Sequence, residues 1–353
     1  MAAYTTINNP ELYFQVKLYT GTGSSNAITL DGDEDMQPDL VYIQRRDDEG
    51  PPMFFDSVRG ATKRLQTNNT DAEATGSQQL TAFGSDGFTV GTHEDANNSS
   101  STYVARCWKA GTSFSNDASA TSVGSIDSDG SINTTSGVAI IRWSGTGANA
   151  TIAHGIAAPK VMLIKRISGG TESWVVYHQE ISPAKHLFIN NTDAENADTN
   201  NFQNTATTSS VFSVGTYNQM NASGTNNMIA YCFAEKQGFS KFGSYTGNGN
   251  ADGTFVYTGF RPAWFLTKKS SASGNNWTLW DNKRDTKNPM DLLLHPNSSN
   301  AENDSGDNID FCSNGVKLRN TAGGNNASGA TYIFMAFAEA PFVNSNGVPC
   351  NAR

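Results

Sequence analysis

The chain has 353 residues, room for two or three domains. Hydrophobic residues (37%) and aromatics (10%) supply enough material for packed cores, which excludes a disordered chain. Only 16% of residues are charged; the polarity comes from 37 Asn and 33 Gly, with Ser and Thr, a mix that excludes a mostly helical protein, while a net charge of −9 excludes a globally basic nucleic-acid-binding surface.

In chain order, the start up to Pro10 has neither a basic nor an apolar region of the Sec-leader kind. No run of 18 apolar residues follows anywhere, so no membrane insertion is expected. The expected place of synthesis is a cytoplasm. Residues 1–17 read as a docking segment without counterpart later in the chain.

The motif Tyr19-Thr-Gly-Thr-Gly23 comes next, and it recurs as Trp143-Ser-Gly-Thr-Gly147 and Tyr245-Thr-Gly-Asn-Gly249. Three further landmarks repeat in the same order. A proline opens an apolar run with basic residues at Pro38–Arg46, Pro159–Arg166 and Pro262–Lys269. A polar Asn/Asp-Ala-Glu element ends at Glu73, Glu195 and Glu302. A closing run follows at Tyr103–Trp108, Met228–Phe233 and Tyr332–Phe337. The offsets are near constant, so the chain holds three copies of one unit, each long enough to have a core of its own.

Period-2 alternation marks strands. In the first closing run, Tyr103, Ala105 and Cys107 share one face, and Val104, Arg106 and Trp108 the other. Trp174–Tyr177 and Trp277–Trp280 are aromatic and β-branched, as strands prefer. Turn signals recur at Asp31-Gly32, Asp86-Gly87, Asp129-Gly130 and Asn314-Gly315, the spacing of a sandwich or barrel. Asn69–Ala74 and its counterparts are the candidates for a helical turn. The expected fold is all-β: three tandem homologous β-sandwich domains of jelly-roll or concanavalin-like type. The boundaries are 1–111 for the first repeat with its docking segment, 112–134 for an extended Ser/Gly/Asp-rich connector, 135–238 for the second and 239–353 for the third. The short second junction should fix repeats two and three relative to each other and leave the first set differently.

No catalytic constellation stands out. Cys107, Cys232, Cys312 and Cys350 form no C-x-x-C pair, and the first two read as buried free thiols. His93, His154, His178, His186 and His295 lack ligand spacing. The glycines of the Gly-x-Gly turns lack a third Gly and a following helix, so no dinucleotide loop is read. The acidic run 31–35 is the best cation candidate, yet it lacks the EF-hand pattern and has no counterpart in the other copies. Glu73, Glu195 and Glu302 are single acids, suited to turns rather than to a hydrolase's carboxylate pair. Trp108, Trp143, Trp174, Trp264, Trp277 and Trp280 lie in strand-like runs and should be core. Catalytic residues, metal and cofactor are therefore all expected to be none.

Tyr4–Gln15, Leu18–Asn26, Asp56–Lys63, Asn68–Glu73, Leu80–Gly91 and Tyr103–Gly111 resemble the repeated domain of virion structural and tail-fibre proteins of marine tailed phages, cyanophages and their relatives. The likeness is close in the first copy and looser in the others, where Asp56-Ser-Val-Arg-Gly60 is lost. It implies a non-enzymatic virion surface protein, a tail fibre or tail-associated part contributing to host attachment. Its partners would be other tail or capsid proteins, further copies of the chain in a homo-oligomer, and a host glycan or receptor. No trimerising shaft is visible, which keeps a capsid decoration or knob protein as the alternative. A glycan-binding or glycan-cleaving protein is the third reading; it requires exposed aromatics and acids converging in one groove of one copy.

Overall fold

The computed structural model describes residues 4–224 and 226–350. It is all-β: 27 strands, four α-helical turns of four residues each and one 3-10 turn among the described residues.

The same sheet order occurs three times. In each repeat an opening strand pairs with the closing strand, which pairs with a central strand, which pairs with a flanking strand, all antiparallel. The opening strands are Phe14–Thr20, Val138–Ser144 and Ser240–Thr246. The closing strands are Thr102–Trp108, Asn227–Phe233 and Thr331–Pro341. The central strands are Leu40–Arg45, Val161–Arg166 and Phe260–Lys269. The flanking strands are Met53–Asp56, Val175–His178 and Thr278–Asp281. A smaller sheet accompanies each, with Asn26–Thr29, Ala150–Ala153 and Phe255–Tyr257 as edge strands.

Alternation along the strands divides the apolar side chains between two kinds of core. Tyr103, Ala105 and Cys107 enter a cluster inside the first repeat, while Val104 and Trp108 point to a cluster shared by all three. The second and third repeats have inner clusters of their own. In the shared cluster the three closing strands meet at one point. The ring centroids of Trp108 and Phe233 are 6.2 Å apart, those of Trp108 and Phe337 5.7 Å, and those of Phe233 and Phe337 5.8 Å.

Contacts between repeats are cyclic. The backbone N–H of Glu73 donates to Ile167 O, that of Glu195 to Ser270 O, and that of Glu302 to Arg46 O. A second set runs the other way round the ring: Glu172 N to Thr70 O, Gly274 N to Thr192 O and Gly50 N to Ser299 O. The Asn/Asp-Ala-Glu element is thus the strap from each repeat to the next, closing from the third back to the first. The strap's backbone bonds to the neighbouring repeat instead of to itself, and no helical turn forms at Asn69–Ala74; the helical turns lie elsewhere, at Glu94–Asn97, Ala118–Thr121, Thr199–Phe202 and Asn218–Asn221.

The Gly-x-Gly motifs wrap a buried asparagine that the sequence reading did not single out. Asn97 Oδ1 accepts from Thr22 N, Asn221 Oδ1 from Thr146 N, and Asn326 Oδ1 from Asn248 N. A Cβ on Gly21 would lie 2.1 Å from Asn98 O, so the turn admits glycine alone.

Several expectations are corrected. Residues 112–134 are no extended connector: Thr112–Asn116 and Ser128–Asn133 add two strands to the edge of the second repeat's large sheet. Hydroxyl-rich residues can line a half-exposed strand, and Phe114, Ile126 and Ile132 anchor the addition on the inner cluster. Asp129-Gly130 lies within a strand rather than a turn; a Cβ on Gly130 would sit 1.9 Å from Ile140 O. The N-terminal segment packs into the ring from Tyr4 on, and its last part is not without counterpart. Thr5 Oγ1 donates to Gln237 O, Tyr4 OH to Gly259 O, Ile7 joins the shared cluster, and Phe14–Thr20 has counterparts in both later repeats. The first repeat carries the same strap contacts to both neighbours as the other two; residues 1–3 lie outside the described ones.

Candidate functional site

The chemistry-bearing side chains fall into two groups: those buried between repeats and those on the outer surface. The buried ones have structural partners. Asp56 accepts from Tyr231 OH at 2.7 Å and from Arg59 Nε at 2.5 Å. At the equivalent place in the third repeat, Asp281 accepts from Arg106 at 2.9 Å and from Arg284 at 2.6 Å. Burial opposes ionisation there, but the two guanidinium groups hold the Asp281 carboxyl at about 2. The second repeat has His178 instead, its Nε2 3.1 Å from Phe334 O; burial lowers it to about 4. Burial also pushes Lys165 down to about 8, a value that elsewhere suggests a nucleophile. Its ammonium instead donates to the carbonyls of Thr70 and Glu172, tying the second repeat to the first.

The residues singled out from sequence lie apart. All six tryptophans are buried. Trp174 Nε1 donates to Gln66 O and Trp277 Nε1 to Phe188 O, the same contact at two successive junctions. Cys107 and Cys232 are buried free thiols; Cys312 and Cys350 are free and more exposed. His154 lies against Thr208 O, His186 against Asn201, His295 against Trp277 O, and His93 caps a helical turn. In the acidic run, Asp31 pairs with Lys17. Among the described residues no group of three His, Cys, Asp or Glu is placed to hold a metal ion, and no helix is long and apolar enough to cross a membrane. Glu73 pairs with Arg59 and Lys63, Glu195 with Lys185, and Glu302 with Arg46 and Arg284.

Two outer concavities border the second repeat, beside others such as the one of about 450 Å³ at Arg261, Asn288 and Cys312. The larger, about 770 Å³, lies on the strands added to the second repeat and contains Asp117, Asp127, Asp129 and Arg142. Its acids are already engaged: Asp129 pairs with Arg142, Asp117 caps the turn at Ser119 and Ala120, and Asp127 accepts from Ala118 N. It has no exposed aromatic ring.

The smaller groove, about 320 Å³, lies where the second repeat meets the third. Phe255 and Tyr257 stand on it, 43% and 56% exposed, on the outer face of an edge strand whose middle residue, Val256, is core. The facing wall is the turn after the second repeat's flanking strand, with Gln179 and Glu180. Gln179 Nε2 donates to Phe242 O, and Glu180 Oε2 accepts from Ser244 Oγ at 3.2 Å. Lys241 is neutralised by Glu235 at 2.8 Å. Beyond Tyr257 a second hollow contains Tyr4, whose hydroxyl is pushed up to about 12 by burial and by the Tyr257 hydroxyl.

Register shows that the other two repeats lack these rings. Gly315 faces Tyr257, Gly87 faces Thr29, and Val211 faces Ala153 in the three small sheets. Phe255 and Tyr257 thus stand where the first repeat has Ala27 and Thr29 and the second has Thr151 and Ala153, while Val256, Ile28 and Ile152 fill the core alike. Sequence reasoning missed the pair because Phe255-Val256-Tyr257 reads as one more apolar strand; aligning the three copies gives the signal. Chemically the groove offers aromatic faces, an amide, a hydroxyl and one carboxylate, with the neighbouring acid already paired. Such a set suits stacking and hydrogen bonding.

No curated protein and no solved structure matches the chain. One family model does, over residues 9–341, a span that takes in all three repeats: the chain belongs to the family described as a domain of unknown function, DUF7483.

Proposed function

We propose that the chain is a non-enzymatic surface protein of a tailed-phage virion, a tail fibre or tail-associated part that contributes to host attachment. In this reading the three sheet pairs are tandem β-sandwiches of jelly-roll or concanavalin-like type, assembled in the host cytoplasm and docked on other virion proteins. The observation that carries it is the division of labour among polar groups. Asp56, Arg106, Asp281, Arg284, Lys165 and Glu302 are consumed in holding the repeats together, and the outer surface keeps a groove suited to recognition rather than bond cleavage. The resemblance of the first repeat to phage virion proteins supports the same reading. Mass spectrometry of purified particles tests it: the polypeptide should be found at stoichiometric copy number, and its absence from particles would sink the proposal.

The alternative, a capsid decoration, is favoured by one feature. The chain closes on itself, and among the described residues the longest helix has four residues, too short for a coiled-coil shaft. Locating the protein in a particle map separates the two readings by position on tail or head.

A further inference from the structure

At the outer groove the ring departs from its own repetition: Phe255 and Tyr257 stay exposed although the Phe255 ring lies over Gly315 and the Tyr257 hydroxyl lies beside that of Tyr4. Exposed Phe and Tyr on an edge strand are a liability for a soluble fold, since unpaired edges invite association. The first two repeats avoid it with Ala27, Thr29, Thr151 and Ala153 at the same positions. Gly243 belongs to the same departure. The opening strands carry Lys17 and Ile141 where the third has Gly243, and a Cβ there would meet the Phe334 ring at 2.8 Å.

We infer that this groove binds a neutral saccharide, with sugar rings laid on Phe255 and Tyr257 and hydroxyl groups bonded by Glu180, Gln179 and Ser244. The inference deepens the attachment reading above and rests on it.

Three observations select that ligand class. Successive outward side chains on a strand lie two residues apart, close to 7 Å, so the two rings form a continuous platform. Aromatic faces suit a ligand that is apolar on one side and polar at its rim, which is the character of a pyranose. A carboxylate, an amide and a hydroxyl border the platform, the acceptors and donors such a rim requires. Charge then narrows the class. The chain carries −9, Glu180 faces the groove, and Lys241 is cancelled by Glu235, so anionic sugars meet repulsion with no free cation in return. Size argues against a protein partner. A volume of about 320 Å³ is that of a small-ligand site, whereas stable protein interfaces bury about 800 Å² on each side. Only Phe255, Tyr257 and Val348 are large exposed hydrophobics among the described residues.

The test uses the full chain and linear neutral hexasaccharides of glucose, galactose and mannose, with uronic-acid and sulfated hexasaccharides beside them. Binding is read by titration calorimetry and by ligand-observed NMR. At least one neutral oligosaccharide should bind, and the charged ones should bind more weakly. The double variant Phe255→Thr with Tyr257→Ala installs the second repeat's residues and should weaken binding at least tenfold, with the circular-dichroism spectrum of the folded chain retained. Glu180→Gln should weaken it severalfold. The inference is overturned if no neutral oligosaccharide binds, if the charged ones bind better, or if the double variant binds as well as the parent. It is equally overturned if the double variant turns a dimer into a monomer and no saccharide is held, which would make the patch a contact between copies. None of these outcomes touches the detection of the chain in particles, so failure here and failure of the virion reading are told apart.

Discussion

Two junctions of the ring solve one problem with opposite chemistry. Where the third repeat meets the first, the closing strand presents Arg106 to Asp281, and Arg284, Glu302 and Arg46 extend the network to the rim. Where the second meets the third, the closing-strand position is Met335 and the flanking-strand position is His178, which lies against a backbone carbonyl. A buried carboxylate is tolerable only with donors facing it. Asp281 has Arg106, Asp56 has Tyr231, and opposite Met335 there is no carboxylate at all. The difference also follows the covalent chain. Repeats one and two, and two and three, are joined by short segments that raise their effective concentration. Repeats one and three have no such tether, and that junction carries the densest ion pairing.

Removing Asp281 strikes this comparison hardest. Asp281→Ala leaves the buried Arg106 guanidinium without a carboxylate, while Arg284 keeps Glu302, and should cost about 3–5 kcal/mol in denaturant unfolding, far more than His178→Ala. A loss below about 1 kcal/mol would show that the ionic junction does not hold the ring. The double variant Arg106→Met with Asp281→His rebuilds the second junction's chemistry at the first. It should recover a coupling of about 1–3 kcal/mol relative to the sum of the single changes.

Acid should separate the junctions. His178 and His154 are held near 4 by burial, against an ordinary 6.5, so the unfolded chain binds protons that the folded one does not. Their contribution is intact above pH 6.5 and is lost as pH falls toward 4, on the order of 3 kcal/mol per histidine. The Asp281 carboxyl, lowered to about 2, keeps its contribution until pH falls below its ordinary 3.8. Hydrogen exchange at pH 5 should therefore lose protection at Val175–His178 while Thr278–Asp281 stays protected; the reverse order would refute the assignment. The smallest effect belongs to the surface. Arg142 and Asp129 form a pair 39% and 47% exposed, and Arg142→Ala should change stability by less than about 0.5 kcal/mol.

Much of this was legible in the residues. Period-2 alternation placed Tyr103, Ala105 and Cys107 opposite Val104 and Trp108, because a strand has only two faces. The threefold recurrence was legible because the Gly-x-Gly turns admit few substitutions around Asn97, Asn221 and Asn326. The ring was not. Its straps are backbone hydrogen bonds from Glu73, Glu195 and Glu302, and a backbone donor leaves no mark on residue identity. Residues 112–134 were misread because low apolar content was taken for lack of structure, although three apolar anchors suffice on an existing sheet edge. The groove was hidden because exposure, not composition, distinguishes Phe255 and Tyr257 from core residues.

The central claim is that three repeats close into one body through the junction of the first and third. Small-angle scattering of the full chain with its unfolding curve tests it most directly. A closed ring predicts a radius of gyration near the compact value for this length, about 20 Å, and a single cooperative transition. A clearly larger radius with separate transitions for separate repeats would contradict it.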